Sequence, residues 1–454
     1  MNQPLQPKPP SERNFLIFKP LKWFLQSSLY PSIFQWAAVL VFAVIMVQTL
    51  AGPTSAHDNF GTAATWVLWW PLLPLFFFLF GRFWCGVCPF SLVSDLTQKF
   101  FGANRKVPKF LKKYGLWIID ITFIFITWAD HIWGIVESPR GSGTLLLLIL
   151  GGVMVTAMLF ERRTWCRYLC FLGSLSGNYS RAGMLELRAD KEVCKTCTTR
   201  DCYKGNSKAP GCPMFEFPMA MENSANCNLC GNCVKTCPHD SIKLTPRIPT
   251  SEFWSMTKAR FEESFLAIVI VGIVFVQNIT MLNVYQSYLK WAQLTLGLSK
   301  DVAFTLIFIV AMTTPVLLLF AATAVSKRYS GETMRTAFAR FGYAVIPLDL
   351  ASHMAHNLFH LLAEGKSIYY TFMGLFGVHI EGPTDFVSDP TIQIMQYVLV
   401  IAGTIGSLYT AYRIAKTNYG AKKALSVAMP YLVIISIFGV LNFLTFVVRM
   451  SMRM

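Results

Sequence analysis

The sequence predicts an all-α polytopic membrane protein with about nine transmembrane helices and a small inserted α+β domain. Of its 454 residues, 54% are hydrophobic and only 14% are charged, whereas about 25% are charged in a soluble globular chain. Apolar stretches of about 18 residues or more recur, and each is long enough to cross a bilayer as a helix. A long polar insert that holds most of the cysteines interrupts them.

Nine predicted spans divide the chain into four parts. The spans cover residues 33–52, 65–82, 115–136, 144–160, 264–284, 302–325, 342–362, 391–412 and 427–448. The parts are an N-terminal segment (1–32), a four-span module (33–185), the cysteine-rich insert (186–262) and a five-span module (263–454).

The distribution of Lys and Arg predicts the orientation of the chain. The N-terminal segment, the insert and loops 83–113, 326–341 and 413–425 are basic, and the opposite loops carry few charges. By the positive-inside rule the basic side is cytoplasmic and the C-terminus lies outside, in a bacterial-type inner membrane. The net charge of +16 therefore indicates topology, and no nucleic-acid partner is expected. The polar, basic N-terminus predicts no cleavable signal peptide.

The insert contains a cysteine run with the spacing of bacterial ferredoxins. Cys227, Cys230 and Cys233 are separated by two residues each, and Cys237 follows after three more, directly before Pro238. This spacing is typical of a [4Fe-4S] site whose fourth cysteine binds the neighbouring cluster. A zinc site is the alternative, but it would need two separated Cys-x2-Cys pairs.

A second run with stretched spacing precedes the first one. Exchange of the fourth ligand, as in two-cluster ferredoxins, predicts two sites of four cysteines each. One site comprises Cys194, Cys197, Cys202 and Cys237, and the other comprises Cys227, Cys230, Cys233 and Cys212. In the alternative, Cys202 is a bystander, which leaves the first site one ligand short.

The remaining four cysteines lie at the ends of two hairpins that resemble one unit used twice. Spans 1 and 2 end in FGRFWCGVCPFS, and spans 3 and 4 end in FERRTWCRYLCFLGS. The pairs Cys85 with Cys88 and Cys166 with Cys170 predict a third [4Fe-4S] cluster that bridges the hairpins at the membrane border. Redox-active dithiols and cysteines that serve as small apolar side chains stay open as alternatives.

This order of spans, border cysteine pairs and two-cluster ferredoxin resembles the NapH/NosR/CcoG group of membrane polyferredoxins over residues 30–245. Those proteins act in nitrate and nitrous-oxide respiration and in copper-oxidase assembly. Their border motif is Cys-x3-Cys-Pro, used twice. Here two residues separate Cys85 from Cys88, and Phe171 follows Cys170. The NapH type fits best, because no flavin-attachment domain is expected before span 1 and no periplasmic domain after span 9.

Span 7 carries ionisable residues on one helical face. In PLDLASHMAHNLFHLL, Asp349, His353, His356 and His360 recur at intervals of three or four residues. Ionisable groups inside a membrane are costly and indicate a functional site. His131 in span 3 is the other histidine within a predicted span.

Four roles remain open for this face. His353, His360 and His131 are candidate ligands of haem b, with span 7 supplying one axial ligand and another span the second. Alternatively the face binds quinol, and Asp349 or His356 accepts protons as a catalytic residue. A copper or other metal site and a polar helix seam complete the set. Of the other histidines, His57 and His379 are expected to be solvated, and His239 to tune a cluster at most.

The sequence therefore predicts a carrier that passes electrons between a quinol or haem site and [4Fe-4S] clusters in an anaerobic-type respiratory chain. The expected partners are membrane lipid, the quinone pool and a respiratory reductase or another redox subunit. The resemblance implies a quinol dehydrogenase subunit. The alternatives are a CcoG-like copper reductase that serves oxidase assembly and a docking subunit whose clusters only link partners.

Overall fold

Helices form most of the protein, whose computed structural model describes residues 14–448. The helices of at least eight residues, in chain order, are α1 Lys19–Gln26, α2 Ser32–Ala51, α3 Phe60–Phe80, α4 Pro89–Phe101, α5 Lys109–Trp133, α6 Pro139–Leu159, α7 Phe171–Ala182, α8 Phe261–Thr280, α9 Asn283–Leu296, α10 Lys300–Ser330, α11 Met334–Phe341, α12 Ile346–Ala363, α13 Lys366–Gly374, α14 Asp389–Tyr419 and α15 Ala421–Val447.

Eight of these helices are long and apolar enough to cross a membrane: α2, α3, α5, α6, α8, α10, α14 and α15. They coincide with eight of the nine predicted spans and confirm a multi-pass helical membrane protein. Local signals set their ends. The Ser138 side chain caps α6 by accepting a hydrogen bond from the Gly141 N–H. Gly134 ends α5 with a φ of +60°, which favours glycine.

The remaining predicted span, span 7 (residues 342–362), corresponds to α12, which is too polar to qualify as a membrane helix by composition. It nevertheless runs beside α8 through the same layer. Near its start, the Tyr343 hydroxyl donates to Glu263 at 2.8 Å, and further along, His356 Nδ1 lies 2.8 Å from Asn278 Oδ1. Because neighbouring helices shield α12 from lipid, it tolerates polar residues that a lipid-facing helix would not.

Helix α8 is the centre of the bundle. Within its most apolar window, 72% is buried, compared with 17–44% for the other seven candidate spans. It contacts α5 of the four-span module as well as α10 and α12 of the five-span module. The two predicted membrane modules therefore pack around a shared helix.

The cysteine-rich insert is a small α+β unit between α7 and α8. Strands β1 (Leu185–Ala189) and β4 (Ile242–Pro246) pair antiparallel at its base, with Leu187 opposite Leu244. Two short strands, β2 (Gly205–Asn206) and β3 (Ala209–Pro210), form a second pair. Single helical turns at Lys191–Lys195, Asp201–Lys204 and Asn232–Thr236 carry cysteines between the strands. Because these elements are short, most of the insert consists of the loops that carry the cysteines.

The N-terminal segment packs against the insert. Leu16 joins the small apolar core of Leu187, Val234 and Ile242. The Asn14 side chain accepts a hydrogen bond from the Leu244 N–H at 3.1 Å. Residues 14–31 are thus an integral part of the insert's core, whereas residues 1–13 of the predicted 1–32 segment lie outside the described residues.

Candidate functional site

The two border cysteine pairs occupy equivalent positions in the two hairpins. Cys85 and Cys166 each lie in a helical turn that follows a membrane helix, in Phe83–Val87 and Thr164–Tyr168. Cys88 and Cys170 are the N-cap residues of α4 and α7. The Cys170 sulfur accepts a hydrogen bond from the Gly173 N–H at 3.3 Å. A helix N-terminus favours negative charge, and hence a thiolate, at this position.

The four border thiols lie close enough to affect one another. Burial raises the pKa of Cys88, and the thiols of Cys166, Cys85 and Cys170 raise it further. Burial likewise raises the pKa of Cys170 to about 12, with contributions from Cys166 and Cys85. Burial thus disfavours the thiolate forms of Cys88, Cys166 and Cys170, and a positively charged metal core would stabilise them.

Two buried arginines border this cysteine group. Arg82 is 3% exposed, and its Nε and Nη2 atoms have no hydrogen-bond partner among the residues the structure describes. Its Nη2 lies beside Gly173: a Cβ atom added to that glycine would be 3.3 Å from Nη2 and 3.4 Å from the Cys170 Cβ. Arg163 is held by Asp95 through contacts of 2.7 and 2.5 Å and interacts with the Cys166 thiol. Unpaired donors beside four sulfurs fit an anionic thiolate-bound cluster.

The insert assembles its eight cysteines into two groups. Cys202 interacts with the thiols of Cys237, Cys194 and Cys197, and burial raises its pKa to about 11. The Ser241 hydroxyl lies 3.3 Å from the Cys194 sulfur and 3.4 Å from the Cys237 sulfur, which joins the early and late parts of this group. We call it the outer quartet.

The second insert group lies against the membrane part, and we call it the inner quartet. Burial raises the pKa of Cys230 to about 12, and the thiols of Cys212 and Cys227 contribute to the rise. Cys233 also interacts with Cys230, Cys227 and Cys212. The structure therefore collects the twelve cysteines in the three groups of four that the spacing predicts. Their roles as ligands stay predictions.

Among residues 14–448, no three His, Cys, Asp or Glu side chains converge tightly enough to hold a single metal ion. A [4Fe-4S] cluster does not require such convergence, because each cysteine binds a different iron at a corner of the cube. A single copper ion does require it. The geometry of the described histidines therefore gives no support to the predicted copper site.

The border group touches the inner quartet. A Cβ atom added to Gly86, between Cys85 and Cys88, would lie only 2.4 Å from the Asn228 carbonyl oxygen. Arg163 interacts with both Cys166 and Cys230, and Arg82 Nη1 donates to the Ala225 carbonyl. Backbone and side-chain contacts thus join the two groups without an intervening layer.

The polar face of α12 meets partners from other helices. The Tyr179 hydroxyl of α7 lies 3.1 Å from Asp349 Oδ2 and 3.2 Å from His353 Nδ1. His356 contacts Asn278 of α8, and His360 Nδ1 lies 3.1 Å from Glu364 Oε2. These side chains form a buried polar column along the helix.

A cavity opens between this column and the four-span module. Its wall includes His356, Asn357, His360, Gln277, Trp70 and Phe171. The carbonyl oxygens of the Gln277 and Asn357 side chains are buried without a partner among the described residues, so a ligand hydroxyl would satisfy them.

The contacts described for His131 come from α5, α8 and α10. Its Nδ1 lies 2.8 Å from the Thr127 carbonyl oxygen, its Nε2 lies 3.1 Å from Thr280 Oγ1, and its ring stacks on Phe304. None of these three contacts is with an α12 histidine, so they give no support to the predicted haem pair. His57, His239 and His379 are exposed, as expected of solvated side chains.

The structure adds functional candidates that the sequence did not single out. Tyr179 and Asn278 contact the α12 face, and Gln277 lines the cavity. The polar pair Gln277-Asn278 inside an apolar span was a usable signal. The sequence gives no such signal for Tyr179, because this residue belongs to a short helix whose position depends on tertiary packing.

Comparisons with known proteins match the cysteine-bearing part. A 4Fe-4S binding domain family (Fer4_5) matches residues 62–108 and 142–188, which are the two hairpin ends. The ferredoxin-type protein NapH of Escherichia coli is 25% identical over 249 residues, 50% of this chain and 81% of NapH. The methylamine utilization ferredoxin-type protein MauN of Methylobacillus flagellatus is 28% identical over 37% of this chain and 52% of MauN. No solved structure matches.

The double family match confirms that one unit is used twice, with a border cysteine pair in each copy. The chain therefore binds [4Fe-4S] clusters. These findings confirm the predicted resemblance to NapH-like membrane polyferredoxins, and they support a role of this chain in iron–sulfur electron transfer.

Proposed function

We propose that the chain passes electrons between quinol in the cavity and three [4Fe-4S] clusters. The border group, the inner quartet and the outer quartet would bind these clusters in that order. The observation that carries the proposal is the position of Phe171. This residue directly follows Cys170 and also lines the cavity. A ligand in the cavity is therefore one residue away from a border cysteine.

The cavity offers what a quinol head group needs. Phe171 and Phe123, with ring centroids 5.2 Å apart, and Trp70 supply flat apolar walls. Gln277 and His356 supply polar groups for the two ring oxygens. When bound, the clusters supply one-electron acceptors, and the protein residues orient the quinol and receive its protons.

The outer quartet is the expected contact with a redox partner. Cys197 is partly exposed, in contrast to the buried Cys202. Five basic residues surround the quartet at exposed positions: Lys191, Lys195, Arg200, Lys204 and Lys208. We propose that the quartets lie on the cytoplasmic side of a bacterial-type inner membrane, because the basic loops share that side. The partner is then a respiratory reductase or another redox subunit.

Anaerobic mixing of the purified protein with a reduced short-chain quinol tests this function. We expect the visible absorbance of the clusters to bleach as they are reduced. Gln277→Leu should raise the quinol concentration needed for half-maximal rate by about tenfold, since a buried hydrogen bond is lost. Gln393→Leu, which alters a glutamine of α14 outside the cavity wall, is the matched control. Fully loaded protein that quinol does not reduce would contradict the proposal.

A further inference from the structure

The polar face of α12 extends well beyond the cavity. Asp349, His353, Asn357 and Glu364 recur along it, and each is at most 5% exposed. Only the part near His356 and His360 faces the cavity. The cavity therefore does not account for the buried acid and histidine further along the helix.

Tyr179 connects that acid and that histidine. Its side chain is fully buried, and its hydroxyl is within hydrogen-bond distance of both Asp349 and His353. A hydroxyl accepts one proton and donates another, so it passes a proton between two partners without a net change of its own.

The polar atoms at the two ends of this triad make no hydrogen bond to the described residues. His353 Nε2 and Asp349 Oδ1 are buried without a hydrogen-bond partner among the described residues, and so is Ser352 Oγ. A static polar seam would be expected to satisfy such atoms. Unpaired atoms at both ends of a hydrogen-bonded triad instead suit a chain in which protons enter at one end and leave at the other.

The two ends of the triad lie towards different parts of the molecule. The Trp70 ring, which lies 6.0 Å from the His353 ring, also belongs to the cavity wall. At the other end, Asp349 lies in the first turn of α12, six residues after Tyr343. The Tyr343 hydroxyl donates to Glu263, and Glu263 pairs with the exposed Arg260.

We infer that His353, Tyr179 and Asp349 relay protons between the cavity and the side of the membrane that carries the cysteine quartets. Oxidation of one quinol breaks two O–H bonds and releases two electrons and two protons. Electrons would leave one at a time through the clusters that the cysteine groups hold. One proton binds His353 Nε2, His353 Nδ1–H donates to Tyr179, and Tyr179 donates to Asp349 Oδ2. Asp349 then releases this proton towards the quartet side, and the second proton follows by the same steps after His353 returns to its Nδ1–H form. This inference rests on the proposed function, whose quinol supplies the protons.

The relay also shares a helix with the electron path. Cys170 caps the start of α7, and Tyr179 lies nine residues further on, about 13 Å along the axis. One short helix therefore positions a border cysteine and the central relay hydroxyl. Proton and electron acceptors are held at a fixed separation from the same cavity.

Stopped-flow reduction by quinol, in fully iron-loaded protein, tests the relay. Tyr179→Phe should slow quinol-driven reduction by about 100-fold, the usual contribution of a positioned proton-transfer group, and leave reduction by dithionite unchanged. Tyr431→Phe removes the hydroxyl of a buried tyrosine that stacks on Phe341 outside the relay, and it should match the unaltered protein. An unchanged rate in Tyr179→Phe would overturn the relay.

His353→Ala supplies a second test of the relay, which does not depend on the behaviour of Tyr179→Phe. Added imidazole should restore the rate of His353→Ala and not that of Tyr179→Phe, because only the former leaves an imidazole-shaped space. Absence of rescue, with iron content intact, would count against His353 as a proton carrier. If the unaltered protein is not reduced by quinol, the proposed function fails, and this outcome is distinct from a working protein with an inert relay.

Discussion

The cysteine-bearing part, residues 14–260, and the five-span part, residues 261–448, build their sites in different ways. In the first, ligand candidates come in short runs such as Cys227 to Cys237, and local loops collect them. In the second, one helix presents a polar face, and its partners come from distant elements, such as Tyr179 and Asn278. Short stretches of sequence determine the first site, whereas the second site forms only when distant helices pack together.

The difference also separates electron transfer from proton transfer. The family match falls on residues 62–108 and 142–188, within the cysteine-bearing part. The buried ionisable column lies on α12 of the other part. The shared boundary is the cavity, where Phe171 of the first part faces His356 and His360 of the second. We propose that the five-span part binds the substrate and transfers its protons, and that the cysteine-bearing part transfers its electrons.

The largest expected effect comes from removing the link between the two parts. Cys88→Ser combined with Cys170→Ser takes one thiol from each border pair. We expect quinol-driven reduction of the insert clusters to disappear and direct reduction by dithionite to persist. Electron paramagnetic resonance of the reduced protein distinguishes the two outcomes. Normal quinol-driven reduction in this variant would show that electrons bypass the border group. The border group would then not link the two parts.

A smaller effect is expected at the contact between border group and insert. Gly86→Ala places a methyl group against the Asn228 carbonyl, and such overpacking costs about 1–3 kcal/mol. The insert should shift away, so that electron transfer from the border group to the inner quartet slows several-fold. Gly151→Ala on α6, where nothing lies within 4 Å, is the control. Equal rates in the two variants would mean that this contact does not set the electron path.

The smallest effect concerns reactivity within the cysteine-bearing part. The Arg200 N–H, with help from Thr199, lowers the pKa of Cys197, whereas burial raises the pKa of Cys227 to about 11. Thiolates, not thiols, react with iodoacetamide. In cluster-free protein, at any pH below that raised value, Cys197 carries more thiolate and should be alkylated first. Peptide mass spectrometry over time gives the order, and earlier labelling of Cys227 would contradict the described burial.

The sequence predicted what depends on spacing and composition. Eight spans and three groups of cysteines follow from apolar length and from intervals within short segments. It did not predict contacts that join distant segments. His131 shares a membrane depth with the α12 histidines by sequence, but packing turns it towards Thr280 and Phe304. Tyr179 reaches Asp349 across 170 positions, a separation that no periodicity encodes.

Iron and acid-labile sulfide per chain, measured on anaerobically purified protein, test the central claim most directly. The account predicts about twelve irons and as many sulfides, and about eight of each after Cys88→Ser with Cys170→Ser. Eight irons in the unaltered protein would show that the border cysteines hold no cluster. In that case the cavity would have no electron acceptor beside it.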